Sequence, residues 1–170
     1  MSKSFSANKK LGQHFLKDQH AIATILKTMP INTTTILEIG PGPGAITDHL
    51  LPLKKKLILV EKDLRFVEYW KEKGINCIAA DAMDTDWQTF LATHNLKQDA
   101  LWLVSNLPYN ISAPLTVELL KVLELQHLTL MYQKEVAEKF LGIDGMCSLY
   151  ALSQAYFDIT KTLTLKPGAF

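Results

Sequence analysis

The sequence predicts one α/β domain built on a mostly parallel β-sheet, and three observations carry that prediction. Between residues 35 and 140, short apolar, β-branched runs alternate with amphipathic ones. This is the pattern of strands covered by helices on both faces. Each strand-like run in the first two-thirds of the chain ends on glycine, an acid or an amide: Gly40, Glu61, Asp81 and Asn106. Open parallel sheets bind ligands off such carboxyl ends. Finally, 170 residues with 48% apolar and 21% charged side chains suffice for one real core and are not the composition of a disordered chain.

In order along the chain, residues 1–17 form a polar, basic arm and residues 18–170 the domain. Lys3, Lys9, Lys10 and Lys17 lie in the arm with no acid among them, and Leu11, Phe15 and Leu16 are its apolar anchors. Asp18 is placed to cap a helix in which Ile22, Ile25, Leu26 and Met29 recur at helical spacing, up to Pro30. Thr33 to Ile39 reads as a buried strand, Gly40 to Gly44 as a turn, and Ile46 to Leu53 as a helix. Leu57 to Val60 is a second strand, Asp63 to Lys73 a charged helix closed by Gly74, and Ile75 to Ala80 a third strand. A short helix over Trp87 to His94 precedes the fourth strand, Ala100 to Ser105, and a helix over Ala113 to Leu123 follows it. Leu128 to Tyr132 is a fifth strand and Lys134 to Leu141 a helix. A loop turns at Asp144-Gly145, then come a helix over Leu149 to Tyr156 and a strand over Ile159 to Leu165 that alternates Thr with apolar residues.

Formal net charge is only +1, so no global basic field announces a polyanion. Cys77 and Cys147 lie far apart in apolar surroundings and read as buried free thiols of a reducing compartment. No run reaches membrane-spanning length and no signal-peptide pattern opens the chain, so the cytoplasm is the expected location. The five histidines are scattered without metal-ligand spacing, and no metal site is expected.

The candidate site is read from the strand ends. Gly40-Pro41-Gly42-Pro43-Gly44 turns the backbone sharply, but two prolines remove two N–H donors that a phosphate cradle would need. Glu61 ends the second strand and can accept both hydroxyls of a ribose. Asp81 ends the third. Its carboxylate can accept from an exocyclic amine while the backbone of Ala82 meets a ring nitrogen, and Asp81 also suits a helix cap. Together these describe a pocket for S-adenosylmethionine.

Asn106-Leu107-Pro108-Tyr109 ends the fourth strand. It matches the (D/N/S)-P-P-(Y/F) type of signature found in methyltransferases that modify exocyclic amines. The chemistry asks for these residue types. The lone pair of adenine N6 is delocalised into the ring, so acceptors on its N–H groups, from Asn106 and a backbone carbonyl, turn it towards a tetrahedral nucleophile. Pro108 fixes the turn, and Tyr109 offers a stacking face worth roughly 1–3 kcal/mol per base.

Beyond these signals, the chain resembles the ribosomal RNA adenine N6,N6-dimethyltransferases of the small-subunit methyltransferase A type. The matching segments are Lys10 to Leu16, Glu38 to Gly44, Val60 to Asp63, Asp81-Ala82, Asn106 to Ser112 and Gln133 to Lys139. The resemblance implies a Rossmann-like class I S-adenosylmethionine-dependent methyltransferase fold. It implies that His14 and Leu16 lie over the donor, and that Gly40, Gly42, Glu61, Asp81, Ala82 and Asn106 line its pocket. It further implies that Phe170, at the start of a P-x-x-F segment, faces Tyr109 across the target base. Where the family reads Y-G-R-L-S-V, this chain has Met146 to Ala151 without the Gly-Arg pair. The family continues past the position of Phe170 into a last strand, inserted between the fifth and sixth, and a helical lobe that grips RNA. A catalytic domain incomplete at its C-terminus is therefore expected, with an open edge on the fifth strand.

The expected function is S-adenosylmethionine-dependent dimethylation of two adjacent adenosines near the 3′ end of small-subunit (16S) rRNA, by a monomer acting on the immature small subunit. Two alternatives stand beside it: a large-subunit (23S) rRNA adenine methyltransferase conferring antibiotic resistance, and a catalytically impaired RNA-binding or ribosome-binding fragment.

Overall fold

The computed structural model describes Phe5 and residues 14–170. The arm lysines 3, 9 and 10, and Leu11, Gly12 and Gln13, lie outside the described residues. Five parallel strands form one sheet in the order β3-β2-β1-β4-β5. They are β1 (Thr35–Ile39), β2 (Lys56–Glu61), β3 (Cys77–Ala79), β4 (Leu101–Asn106) and β5 (His127–Met131). The chain order reverses between β1 and β4, which opens a crevice above their carboxyl ends, where sheets of this kind receive ligands.

The β period of two sorts side chains to the two faces. From β1 and β4, Leu37, Ile39, Leu101 and Leu103 point one way, onto Trp87, Phe90 and Leu91 of α4 (Trp87–Thr93) and Leu115 and Leu119 of α5 (Ser112–Leu120). Ile36, Trp102 and Val104 point the other way, onto Ile22 and Ile25 of α1 (Gln19–Lys27) and onto Ile46 and Leu50 at α2 (Thr47–Leu50). On that side of β2, Leu59 meets Phe66, Val67 and Trp70 of α3 (Leu64–Glu72). Continuous apolar runs therefore became strands buried on both faces.

The helix starts follow their caps. Asp18 accepts from the Ala21 amide at 2.9 Å, Asp63 from Arg65 at 3.1 Å and Asp86 from Thr89 at 3.1 Å. Each of these carboxylates satisfies an amide that the first helical turn leaves unpaired. The expected helix over Ile46 to Leu53 is α2 followed by a 3-10 turn, Leu51–Leu53, with Pro52 inside it. After β5 come α6 (Lys134–Leu141) and α7 (Ser148–Tyr156).

Two expectations fail. Ile159 to Leu165 joins no β-ladder: β5 pairs only with β4 among the described residues, so no strand stands beside the segment to complete its hydrogen bonds. Exposure alternates only over residues 162–165, with Leu163 and Leu165 packed towards the α1 cluster and the threonines outward, while Lys161 is exposed between Thr160 and Thr162. A cleft of about 760 Å³ separates this segment from β5. Cys147, expected to be buried, is half-buried and points its Sγ at the Lys139 carbonyl 3.4 Å away, because it precedes α7 in a loop; Cys77 is buried as expected.

Candidate active site

The glycine turn from Gly40 to Gly44 uses all of its own hydrogen-bond donors. The Gly40 amide donates to Val60 O at 2.9 Å, Gly42 to Glu61 Oε2 at 3.1 Å and Gly44 to Pro41 O at 3.0 Å. Pro41 and Pro43 have no amide hydrogen to give. No N–H of residues 40–44 is left for a pyrophosphate. The loop's shape depends on Trp70, whose indole Nε1 donates to Gly42 O at 2.9 Å. That ring also lies 2.7 Å from where a Cβ on Gly44 would stand, at a φ of +111°.

Glu61 is buried at the end of β2. Its Oε2 holds the Gly42 amide and its Oε1 accepts from the Asp63 amide at 2.8 Å. A carboxylate has about four acceptor positions, so capacity remains for a ligand. Burial raises its pKa above the ordinary value, against the lowering effect of those amides. Asp81, two residues beyond β3, accepts the Met83 amide on Oδ1 at 3.0 Å and the Lys62 ammonium on Oδ2. The Lys62 bond is the main reason its carboxyl sits below the usual range. Ala82 is buried beside it and accepts from Trp87 Nε1.

At the end of β4, Asn106 is the last strand residue rather than the first of the loop. Its Nδ2 donates to the His14 carbonyl at 2.7 Å, and this bond orients the side-chain amide. Its Oδ1 is buried and has no partner among the described residues. An orphaned buried acceptor is uncommon and marks a place where a donor is wanted. Leu107 is buried in the core. Pro108 and Ile111 close the turn, with the Ile111 amide on Pro108 O at 3.1 Å. Tyr109 is half-buried, and burial pushes its phenol pKa up. The His14 imidazole stacks on the Tyr109 ring with centroids 4.4 Å apart and planes 21° apart. Phe170 stands edge-on to both rings, each centroid 6.4 Å away. Leu16 is buried next to Ile46, and the amides of Lys17 and Asp18 both donate to Ala169 O, at 2.7 and 3.2 Å.

The structure thus brings His14, Leu16, Gly40, Gly42, Glu61, Asp81, Ala82, Asn106 and Pro108 to the walls of one cavity over the β1/β4 crevice. Tyr109 and Phe170 stand at its outer lip, on the side of the β5 cleft, while Leu107 lies beneath in the core. Glu38, Lys62 and Phe15 are among the wall residues that sequence reasoning left unassigned. Glu38 is fully buried, takes a 2.7 Å hydrogen bond from Thr47 Oγ1 on Oε2, and is pushed up to about 8 chiefly by burial. One acid inside the apolar run Thr35–Ile39 was its signal. Lys62 reaches across to Asp81, and Phe15 packs against Gly42, where an added Cβ would come within 3.3 Å of its ring.

Comparison with known proteins identifies the family. The sequence profile of the family described as ribosomal RNA adenine dimethylase matches residues 4–170. A ribosomal RNA small subunit methyltransferase A of Bdellovibrio bacteriovorus is 37% identical over 174 residues, covering 97% of this chain and 60% of that protein. One of the same name from Coxiella burnetii is 34% identical over 178 residues, covering 99% of this chain and 67% of that protein. This chain therefore spans about 60% of the length of the first of these relatives. Among solved structures, a dimethyladenosine transferase of Plasmodium falciparum superposes with a TM-score of 0.75 at 28% identity, over 92% of this chain and 58% of that one. The 23S rRNA methyltransferase ErmE superposes at 0.59 and 23% identity over 74% of this chain and 50% of that one, a likeness of fold alone. With its profile matched over nearly the whole sequence and its fold shared, the chain belongs to the ribosomal RNA adenine dimethylase family.

Proposed function

We propose that this chain carries the donor and acceptor sites of an S-adenosylmethionine-dependent dimethyltransferase acting on N6 of two adjacent adenosines near the 3′ end of small-subunit rRNA, in the cytoplasm, during maturation of that subunit. The observation that carries the reading is Asn106: a buried, unpaired Oδ1 at the end of β4, beside Tyr109 and over a cavity with strand-end acids. The family and the names of the relatives supply the substrate class.

The residues fit a sulfonium donor better than a dinucleotide, because loop 40–44 has spent every N–H internally. When bound, the donor supplies an electrophilic methyl on a cationic sulfur. In this reading Glu61 uses its remaining acceptor positions for the ribose hydroxyls, and Asp81 with Ala82 holds the adenine edge. Leu16 and His14 cover the cavity from the arm side. Asn106 Oδ1 accepts one N–H of the target amine, which draws the nitrogen lone pair out of conjugation and aims it. Tyr109 and Phe170 hold the base. No general base is required, because the methylated nitrogen becomes acidic and loses its proton to water. Catalysis is then positioning and electrostatics.

The test offers small-subunit precursor particles and large-subunit RNA separately with methyl-labelled S-adenosylmethionine, and identifies the product by nuclease digestion and mass spectrometry. N6,N6-dimethyladenosine from the small-subunit RNA is expected. Label on large-subunit RNA instead, or calorimetric donor binding with no transfer to either, would refute the reading.

A further inference from the structure

We propose that His14 is a built-in mimic of the target base: its imidazole occupies the stacking face of Tyr109, and that ring must leave before a nucleobase can enter. The inference rests on the acceptor reading of Asn106 and Tyr109 given above and adds a closed state to it.

Three contacts carry it. The His14 and Tyr109 rings are stacked with centroids 4.4 Å apart. Admitting a third ring between them needs roughly 7 Å, two van der Waals contacts of about 3.5 Å each. The face is therefore taken, and it is taken by a flat, nitrogen-bearing ring. Phe170 stands edge-on, 84° to the imidazole and 79° to the phenol, so it closes the end of the stack and offers no second parallel wall. The His14 carbonyl holds Asn106 Nδ2 at 2.7 Å, while Asn106 Oδ1 stays buried and unpaired. Arm and amide are thus locked together with the acceptor still waiting for its donor.

Core packing does not demand this placement. His14 is exposed, whereas Leu16, two residues on, is buried and anchored beside Ala169. The amides of Lys17 and Asp18 on Ala169 O fix the base of the arm to the turn that carries Phe170. Phe15 stays packed on Phe66 and Leu16 on Ile46, so the exposed His14 ring alone can turn off Tyr109 without opening the core. If the closed state is populated, the apparent affinity for any base falls by the open fraction, whatever the base.

The experiment uses the whole chain with two short single-stranded RNA probes, one carrying 2-aminopurine and one pyrrolocytosine, both reporting stacking by fluorescence. His14→Ala should tighten both probes by the same factor, about three- to tenfold, the scale of one lost aromatic stack. His14→Trp, a better stacking plug, should weaken both. In the unmodified chain the carbon-bound imidazole protons of His14 should show an upfield ring-current shift in NMR spectra. That shift should be lost in Tyr109→Ala and on saturation with probe. An unchanged or weaker affinity in His14→Ala, or a gain confined to one probe, overturns the proposal, since His14 would then hold the base or touch it selectively. If Tyr109→Ala removes probe stacking while His14→Ala gives no gain, the mimic fails and the acceptor reading stands. If Tyr109→Ala alters neither probe in any background, the acceptor reading fails and takes the mimic with it.

Discussion

The Gly42 amide donates to Oε2 of Glu61 at 3.1 Å, across the ends of the neighbouring strands β1 and β2. One side chain thus shapes the glycine loop and faces the cavity. Glu61→Ala should consequently fail twice. Donor affinity should drop at least tenfold, read by calorimetry. Unfolding free energy should also fall by about 1–3 kcal/mol, because two buried amides, of Gly42 and Asp63, lose their acceptor. Loss of binding with stability unchanged would show that the loop holds its shape without Glu61.

Asn106→Ala separates the two sites. Its Nδ2 bond to His14 O is half-exposed and its Oδ1 has no partner, so truncation breaks no buried pair on the cavity side. Donor affinity should stay within several-fold while methyl transfer falls by at least about a hundredfold, the scale of removing one positioned polar group in a transition state. A single-turnover assay at saturating donor decides it, and a mutant that keeps its rate would remove Asn106 from the mechanism.

Gly44 tests the loop from below. At φ +111°, an alanine there would put its Cβ 2.7 Å from the ring of Trp70, a fully buried residue. Backbone strain and overpacking together should cost roughly 2–4 kcal/mol in urea unfolding. Gly145, at φ +104° with nothing within 4 Å, isolates the strain. Gly145→Ala should cost only about 1–2 kcal/mol and leave donor binding untouched.

Glu38 makes stability depend on pH in a defined direction. Its carboxyl rises from 4.5 to about 8 in the folded chain, mainly through burial, with a hydrogen bond from Thr47 working the other way. The folded state thus holds the proton more tightly than the unfolded one. The associated stability is fully present below pH 4.5 and is lost as pH rises through about 8. Glu38→Gln keeps an acceptor for Thr47 and does not titrate. Relative to this variant, the wild type should lose up to about 5 kcal/mol between those limits. Urea unfolding of both chains at pH 5 and pH 8 measures it, and parallel pH profiles would contradict it.

Much of the fold is legible in the sequence. Runs such as Thr35–Ile39 and Leu101–Ser105 are apolar, β-branched and stopped by turn or polar residues, so strand, strand end and site residue were read together. What stayed hidden needed neighbours. His14 reaches Asn106 across 92 residues of chain, and no local pattern announces that an exposed imidazole will lie on Tyr109. Ile159 to Leu165 alternates Thr with apolar residues as a strand can, and residues 162–165 alternate in exposure. A ladder also requires a partner backbone, which a pattern within one segment does not encode. Glu38 was visible as an acid in an apolar run, but its partner Thr47 depends on how the glycine loop folds back.

Lys62 and Asp81 give the last prediction, and its sign is opposite for the two partners. The Lys62 ammonium sits on Oδ2 of Asp81, whose carboxylate is the proposed acceptor for the donor's adenine amine, with Lys62 mostly exposed and Asp81 less so. Asp81→Ala removes that acceptor along with the turn bond to the Met83 amide, and should weaken donor binding. Lys62→Met removes only the competitor while keeping the length of the side chain, and should strengthen it. The wild-type affinity should rise with added salt relative to Lys62→Met, because screening loosens an ion pair that the donor must displace. Calorimetric titrations at low and high ionic strength test all three statements. Weaker binding in Lys62→Met would make Lys62 a contact to the donor and not its rival.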